Sequence, residues 1–174
     1  MQRSIRPSPA KTAAGVALLA LSAVAVANDD LEARLRPFSE VPSVSSTASG
    51  RFKAEIDERA NSISYQLSYS GLQGDVRQAH IHLGQKSVNG GIMVFLCQTS
   101  FNPDPTGLAP ACPQSGTVHG VIQAANIIGG AAPQGIDPME FAEVIAAIRG
   151  GVAYVNVHSS KFLGGEIRGQ LRDD

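Results

Sequence analysis

Four histidines are the residues whose type and spacing in this sequence could bind a metal ion. His80 and His82 are two residues apart in Ala-His-Ile-His-Leu, and His119 and His158 follow later in the chain. Residues two apart on a β-strand point to the same face, about 7 Å apart along the chain, so this pair could chelate one ion. His158 or His119, on a neighbouring strand, would supply a third ligand. Three imidazoles would suit Cu or Zn.

A structural role is the alternative interpretation of the His-x-His pair. Partly buried imidazoles often bond to the backbone or to nearby polar groups, and Asp75 and Gln78 are close in sequence. The pattern is similar to that of the copper–zinc superoxide dismutases, which are Greek-key barrels with a His-x-His strand. Four histidines cannot supply that family's two-metal site, and the sequence has no bridging-histidine segment with its Asp. We therefore do not expect dismutase activity.

Other polar residues near His158 indicate support for this histidine rather than catalysis. Asn156 or Glu166 could orient its ring, as hydrogen-bond partners of metal-bound histidines do. Glu166 and Arg168 are two apart, and the simpler expectation is a surface ion pair between them. Ser159 follows His158 directly, so on a strand the two side chains point to opposite faces and form no nucleophile–base pair. The sequence predicts no catalytic residue.

The elements that would position these residues are β-strands. The clearest is 62–70, where Ile63, Tyr65, Leu67 and Tyr69 alternate with serines and Gln66. Similar patterns predict about eight short strands, at 31–36, 51–57, 62–70, 75–83, 92–97, 116–123, 152–158 and 166–171. Short strands at regular spacing predict an all-β fold, an antiparallel Greek-key sandwich or barrel.

One short amphipathic helix interrupts the strands. Asp137 is the predicted N-cap, Pro138 the first helical residue and Glu140 the third, which is capping-box spacing. An apolar stripe then follows at i, i+3, i+4 and i+7, formed by Phe141, Val144, Ile145 and Ile148. We expect the helix to cover an open end of the sandwich.

The N-terminus has the features of a secretory signal. Residues 1–27 combine three basic residues with an uncharged apolar run that ends in Ala25-Val26-Ala27. Cleavage after Ala27 is predicted, and Ala25 is a competing position. A membrane span needs about 20 apolar residues, which favours a cleaved signal over an uncleaved anchor. We expect a secreted or periplasmic protein with no membrane span in the mature chain.

The mature chain, residues 28–174, is long enough for one domain. The whole sequence has a net charge of −1, and removal of three basic residues with the signal leaves −4. This mild acidity argues against a nucleic-acid partner and against an anionic membrane surface. Cys97 and Cys112 are the two cysteines, and in an exported protein they are expected to form a disulfide worth about 3 kcal/mol.

Several motifs occur together in an order that resembles the CHRD domain, the repeated module of chordin. They include Ala-His-Ile-His-Leu-Gly at 79–84, Asn-Gly-Gly at 89–91, Tyr-Val-Asn-Val-His at 154–158 and Gly-Gly-Glu-Ile-Arg-Gly at 164–169. The resemblance covers about residues 31–172. It implies an all-β domain outside the cytoplasm with no established catalytic activity. Growth-factor capture by chordin draws on other modules and is not carried over.

Two functions are therefore expected from the sequence. One is an exported, non-catalytic module that binds a protein or glycan partner. The alternative is a single-site Cu or Zn protein that uses His80 and His82 with His158 or His119. Convergence of three imidazoles on one point would distinguish the second from the first.

Overall fold

A computed structural model describes residues 29–173, and β-strands form most of it. The strands are β1 Asp29–Leu35, β2 Ser49–Asp57, β3 Ser62–Ser70, β4 Val76–Leu83, β5 Ile92–Cys97, β6 Gly116–Ile122, β7 Ala153–Ser159, β8 Ile167–Gln170 and the two-residue β9 Arg172–Asp173. All eight predicted strands are present, with ends within two residues of the prediction. The predicted signal peptide, residues 1–27, lies outside the described residues.

The strands form two antiparallel sheets. The first sheet has the order β6-β3-β2-β1-β9, and the second has the order β5-β4-β7-β8. β6 returns to lie beside β3, and β7 returns to lie beside β4, which is Greek-key connectivity. The sheets approach each other where Arg36, just after β1, pairs with Arg168 of β8. The predicted antiparallel sandwich is therefore confirmed, in its open rather than its barrel form.

The core lies between the sheets and is formed by the inward half of each alternating strand. Phe52 and Leu67 of the first sheet and Ile81 and Val155 of the second are all almost completely buried. Inward apolar and outward polar residues alternate along β2 and β3, as the sequence predicts for half-buried strands. The predicted disulfide between Cys97 and Cys112 is present and ties the end of β5 to the following loop.

The helix begins later than the sequence predicts. Helix α1 spans Phe141–Arg149, so the expected start at Pro138 is wrong. Met139 has φ of +70°, which interrupts helical geometry before the helix proper. The capping contact still forms, because the Asp137 backbone N–H donates to Glu140 Oε2 at 2.8 Å, but it closes a turn ahead of the helix. The predicted apolar stripe is buried at Val144, Ile145 and Ile148.

Among the described residues, the remaining regular structure is three short 3-10 helices, Pro37–Ser39, Ala124–Asn126 and Gly129–Gln134. Within residues 29–173, no helix is long and apolar enough to cross a membrane.

The outer faces of the two sheets differ. The first sheet exposes its outward residues, whereas loops cover the second at 37–46, 84–91 and 160–165. These loops contact the sheet through His82 with Gly90, His158 with Leu163 and Glu166 with Ser46. The covered face of the second sheet holds most of the predicted site residues.

Candidate metal centre

Two adjacent strands bring three histidines together on the outer face of the second sheet. His80 and His82 alternate on β4 with core residues, and His158 does the same on β7. The β4–β7 register pairs His80 with Asn156 and Gln78 with His158. His158 is therefore the diagonal neighbour of His80, and the ring centroids of the two are 4.9 Å apart.

The covering loops bury all three imidazoles. His80 is 0% exposed, His82 is 7% exposed and His158 is 6% exposed. The sequence does not predict this burial, because these residues occupy outward positions that are solvated on an ordinary half-buried strand. Polar groups removed from water in this way need partners, so each ring nitrogen must be accounted for.

Backbone carbonyls fix the tautomer of two of the rings. His82 Nδ1 lies 2.9 Å from the Gly90 carbonyl oxygen, and His158 Nδ1 lies 2.9 Å from the Leu163 carbonyl oxygen. A carbonyl can only accept, so each Nδ1 carries the hydrogen and donates it. The lone pair is left on Nε2 in both rings. This is the arrangement by which a carbonyl orients a metal-binding histidine.

The remaining nitrogens of the three rings lie close to one another. His80 Nδ1 lies 3.1 Å from His158 Nε2, and one nitrogen from each of the three rings lies within 4.8 Å of the others. Two nitrogens bound to one zinc at about 2.0–2.1 Å in a tetrahedral arrangement are about 3.3 Å apart. His82 Nε2 is buried and has no hydrogen-bond partner. The His80–His158 pair is close to this spacing, but the 4.8 Å limit for the whole set exceeds it, so a bound ion would draw the three rings closer together.

Asn156 contacts this group, and Glu166 does not. Asn156 Oδ1 lies 3.0 Å from His158 Nε2, within hydrogen-bond distance of the atom that would bind the ion. Glu166 Oε1 instead accepts from Ser46 Oγ at 2.5 Å and from the Gln73 backbone N–H at 2.8 Å. Of the two residues expected to orient His158, only Asn156 is in contact with it.

The expected surface ion pair between Glu166 and Arg168 is wrong. Both residues are buried, and Arg168 bonds to other groups. Its guanidinium donates to the Asn89 side chain and to the Val88 and Gln85 carbonyls at 2.8–3.1 Å. Loop 84–91 therefore occupies the donors that a surface arginine would offer to Glu166.

Burial sets the charge of the three imidazoles. Desolvation lowers the pKa of His82 to about 4 and also lowers the pKa of His80 and of His158. The neighbouring imidazoles lower the pKa of His80 further, since a second positive charge there is unfavourable. All three are therefore neutral near pH 7, which is the form that binds metals.

His119, the fourth candidate, lies away from this cluster. It is exposed on β6, opposite Gln66 on the outer face of the first sheet. The structure therefore assigns the third histidine position to His158. Sequence periodicity placed His119 on a strand but did not show to which sheet that strand belongs.

Sequence reasoning missed Tyr154 and Glu40 beside the cluster, and it expected a different role for Arg168. Tyr154 stacks on His82 with the rings nearly parallel and their centroids 4.7 Å apart, and the Arg168 guanidinium lies 3.3 Å from the centroid of the Tyr154 ring. Burial raises the pKa of Glu40 to about 8. Tyr154 could have been found, because it shares alternate positions on one strand with His158. Glu40 follows no such pattern.

The fold and the site together define an antiparallel β-sandwich with a buried three-histidine cluster on the outer face of one sheet. The family model of the CHRD domain matches residues 31–171, so the chain belongs to the CHRD domain family. No curated protein and no solved structure matches the chain significantly. CHRD domains are binding modules, and this membership together with the disulfide is consistent with an extracellular protein.

Proposed function

We propose that this protein is an exported, non-catalytic CHRD binding module that holds one copper or zinc ion at His80, His82 and His158. The observation that carries the metal site is the convergence of one nitrogen from each of these rings within 4.8 Å, in a buried environment. The bound ion would tie β4 to β7. It would also satisfy the unpaired His82 Nε2.

Each of the three rings would have a defined role. His82 and His158 would bind through Nε2, because their Nδ1 hydrogens are held by the Gly90 and Leu163 carbonyls. His80 Nδ1 now lies within hydrogen-bond distance of His158 Nε2, and to bind through this atom the neutral ring would carry its hydrogen on Nε2 instead. This is a change of tautomer with no net release of a proton, so we expect the affinity to fall only where the pH is low enough to protonate the imidazoles.

Elemental mass spectrometry tests this proposal directly. The full chain, expressed with its own N-terminal segment and purified without chelator, is expected to carry about one equivalent of Cu or Zn per protein. Metal added to the stripped protein should raise the melting temperature, because a ligand at 100 times its Kd stabilises the native state by about 2.7 kcal/mol. His82→Gln should lose both the metal and the shift.

His119→Gln is the matched control, since it removes an exposed imidazole from the other sheet. It should keep both the metal and the shift. Absence of metal above background in the wild type, with the same melting temperature with and without added ions, would exclude the site. Equal loss in the two variants would show that the metal bound to exposed histidine rather than to the cluster.

We also infer that residues 1–27 direct export. The basic start, the apolar run and Ala25-Val26-Ala27 support this inference. N-terminal sequencing of the exported protein should give Asn28, or Val26 for cleavage at the competing position. A mature protein that retains Met1 would contradict the inference.

A further inference from the structure

A basic cleft lies beside the metal centre, where the end of β1 meets β8 and loop 84–91. Its volume is about 630 Å³. Five basic residues and two acidic residues line it. The basic residues are Arg34, Arg36, Lys86, Arg168 and Arg172, and the acidic residues are Glu32 and Glu40. The whole chain carries a net charge of −1, so this positive lining is opposite in sign to the protein as a whole.

Three exposed basic residues of the cleft make no close ion pair, although Arg51 and, more weakly, Arg34 lower the pKa of the Glu32 carboxyl. Glu32 is paired with Arg51 of the neighbouring strand, at 2.6 Å. Within the part of the chain that the structure describes, no carboxylate lies within 4.0 Å of the basic group of Arg34, Arg36 or Lys86. A concave site lined by one sign of charge concentrates ligands of the opposite sign.

The walls of the cleft are fixed by hydrogen bonds that do not involve the exposed cations. The Arg36 backbone bonds in both directions with the Arg168 backbone, at 2.9 and 3.2 Å. Loop 84–91, which carries Lys86, is held to the sheet by the Arg168 guanidinium through the Gln85 and Val88 carbonyls. The positive groups are therefore presented by a preformed frame, which reduces the entropy cost of binding.

The rest of the lining matches a sugar better than a simple anion. Phe38 is 74% exposed at the cleft and offers an aromatic face on which the apolar face of a sugar ring can stack. The hydroxyl groups of Ser39, Ser43 and Ser87 also line the cleft and can bond to sugar hydroxyl groups. Arginine recognises carboxylate and sulfate groups through paired N–H donors.

We propose that the basic cleft binds an anionic polysaccharide, a sugar chain that carries sulfate or carboxylate groups. This inference rests on the binding role proposed above and names its partner class. It does not depend on the metal centre, so metal loss and loss of glycan binding are separate results.

A size-defined heparin oligosaccharide is a suitable probe, titrated into the full chain by calorimetry near physiological salt. Arg36→Gln with Lys86→Gln should weaken binding roughly tenfold, as expected for two partly exposed charge contacts. Neither side chain makes a hydrogen bond or ion pair in the described structure, so the double variant should keep its melting temperature. Dextran, which is neutral, should not bind.

Lys53→Gln with Arg59→Gln is the matched control, because it removes the same charge from exposed positions on the first sheet and its β2–β3 turn. It should leave the affinity unchanged. Equal weakening in both double variants would reduce the effect to net charge and overturn the proposal. Polyglutamate or free sulfate binding as tightly as the oligosaccharide would also overturn it, as would no binding of the oligosaccharide.

Discussion

The outer faces of the two sheets carry polar residues at equivalent outward positions, yet their environments are opposite. Lys53, Gln66 and His119 on the first sheet are exposed. Asn156 and Arg168 on the second are each 2% exposed. Residue type does not separate the two faces, since both are polar. The loops over the second sheet make the difference, and they turn a solvated surface into a second, polar interior.

This difference determines what an unpaired polar atom costs. Water satisfies any group on the first face, whereas a group on the second depends on protein partners. In the described part of the chain, four buried side-chain atoms lack a partner: Glu40 Oε1, His80 Nε2, His82 Nε2 and Glu166 Oε2. All four belong to the covered face of the second sheet or to the loop on it, where unsatisfied atoms indicate a functional site.

Among the substitutions compared between the two faces, removal of Arg168 should cause the largest loss in the free energy of unfolding. Arg168→Met would leave the Gln85 and Val88 carbonyls and the Asn89 side chain without their donor, and Tyr154 without its cation. We expect a loss of about 3–5 kcal/mol in the free energy of unfolding, measured by urea denaturation.

The control for Arg168→Met is Lys53→Met, which removes an exposed cation from the first sheet. It should stay within about 0.5 kcal/mol of the wild type. Similar losses in the two variants would show that the covered face has no special dependence on its polar contacts.

Gly165→Ala, which adds a methyl group, should destabilise the protein nearly as much as Arg168→Met. This residue has φ of +123°, and its Cβ would overlap the Glu40 carboxylate and come within 2.8 Å of Asn156 Nδ2. Gly165→Ala should cost about 3 kcal/mol, from backbone strain and displaced neighbours, and should weaken metal uptake.

Gly164→Ala provides the comparison for Gly165→Ala, because it adds the same methyl group one residue earlier, where a Cβ would meet nothing within 4 Å. Its unfolding midpoint should match that of the wild type. If both alanines are tolerated equally, loop 160–165 is not packed against the cluster as described.

The sequence predicted the strands, and it predicted that His80 and His82 share a face, because both follow from a period of two. It could not predict the cover over them. The contact between Ser46 and Glu166 joins residues 120 positions apart, and the segment that carries Ser46 has no periodic pattern. His119 and Met139 show the same limit, since sheet membership and a single left-handed φ depend on tertiary structure.

The free energy of unfolding should depend on pH because the imidazoles are buried in the folded state. The unfolded chain binds a proton at each histidine near pH 6.5, whereas folded His82 resists protonation until about pH 4. Stability therefore falls as the pH drops between these values, by about 1.4 kcal/mol per pH unit for His82 alone. Denaturation of the metal-free protein from pH 7 to 4.5 measures this slope.

His82→Gln should reduce the acid slope, and His119→Gln should not. Glu40 acts in the opposite direction, because a folded pKa of about 8 makes stability fall as the pH rises from 4.5 toward 8. Its contribution is common to both variants and cancels when each is compared with the wild type. An unchanged slope in His82→Gln would mean that the covered face admits protons freely.

Two serine substitutions give the smallest and best-matched comparison, since each deletes one hydroxyl from one face. Ser46 Oγ donates to Glu166 Oε1 at 2.5 Å over the second sheet, while Ser68 Oγ pairs with Thr117 Oγ1 at 2.9 Å on the exposed face of the first. Ser46→Ala should cost about 1–2 kcal/mol, because a buried carboxylate oxygen loses a donor that water cannot replace. Ser68→Ala should cost less than about 0.5 kcal/mol, because water takes the place of its hydroxyl. Equal costs in urea denaturation would mean that water reaches Glu166, and the second sheet would then have an ordinary solvated face.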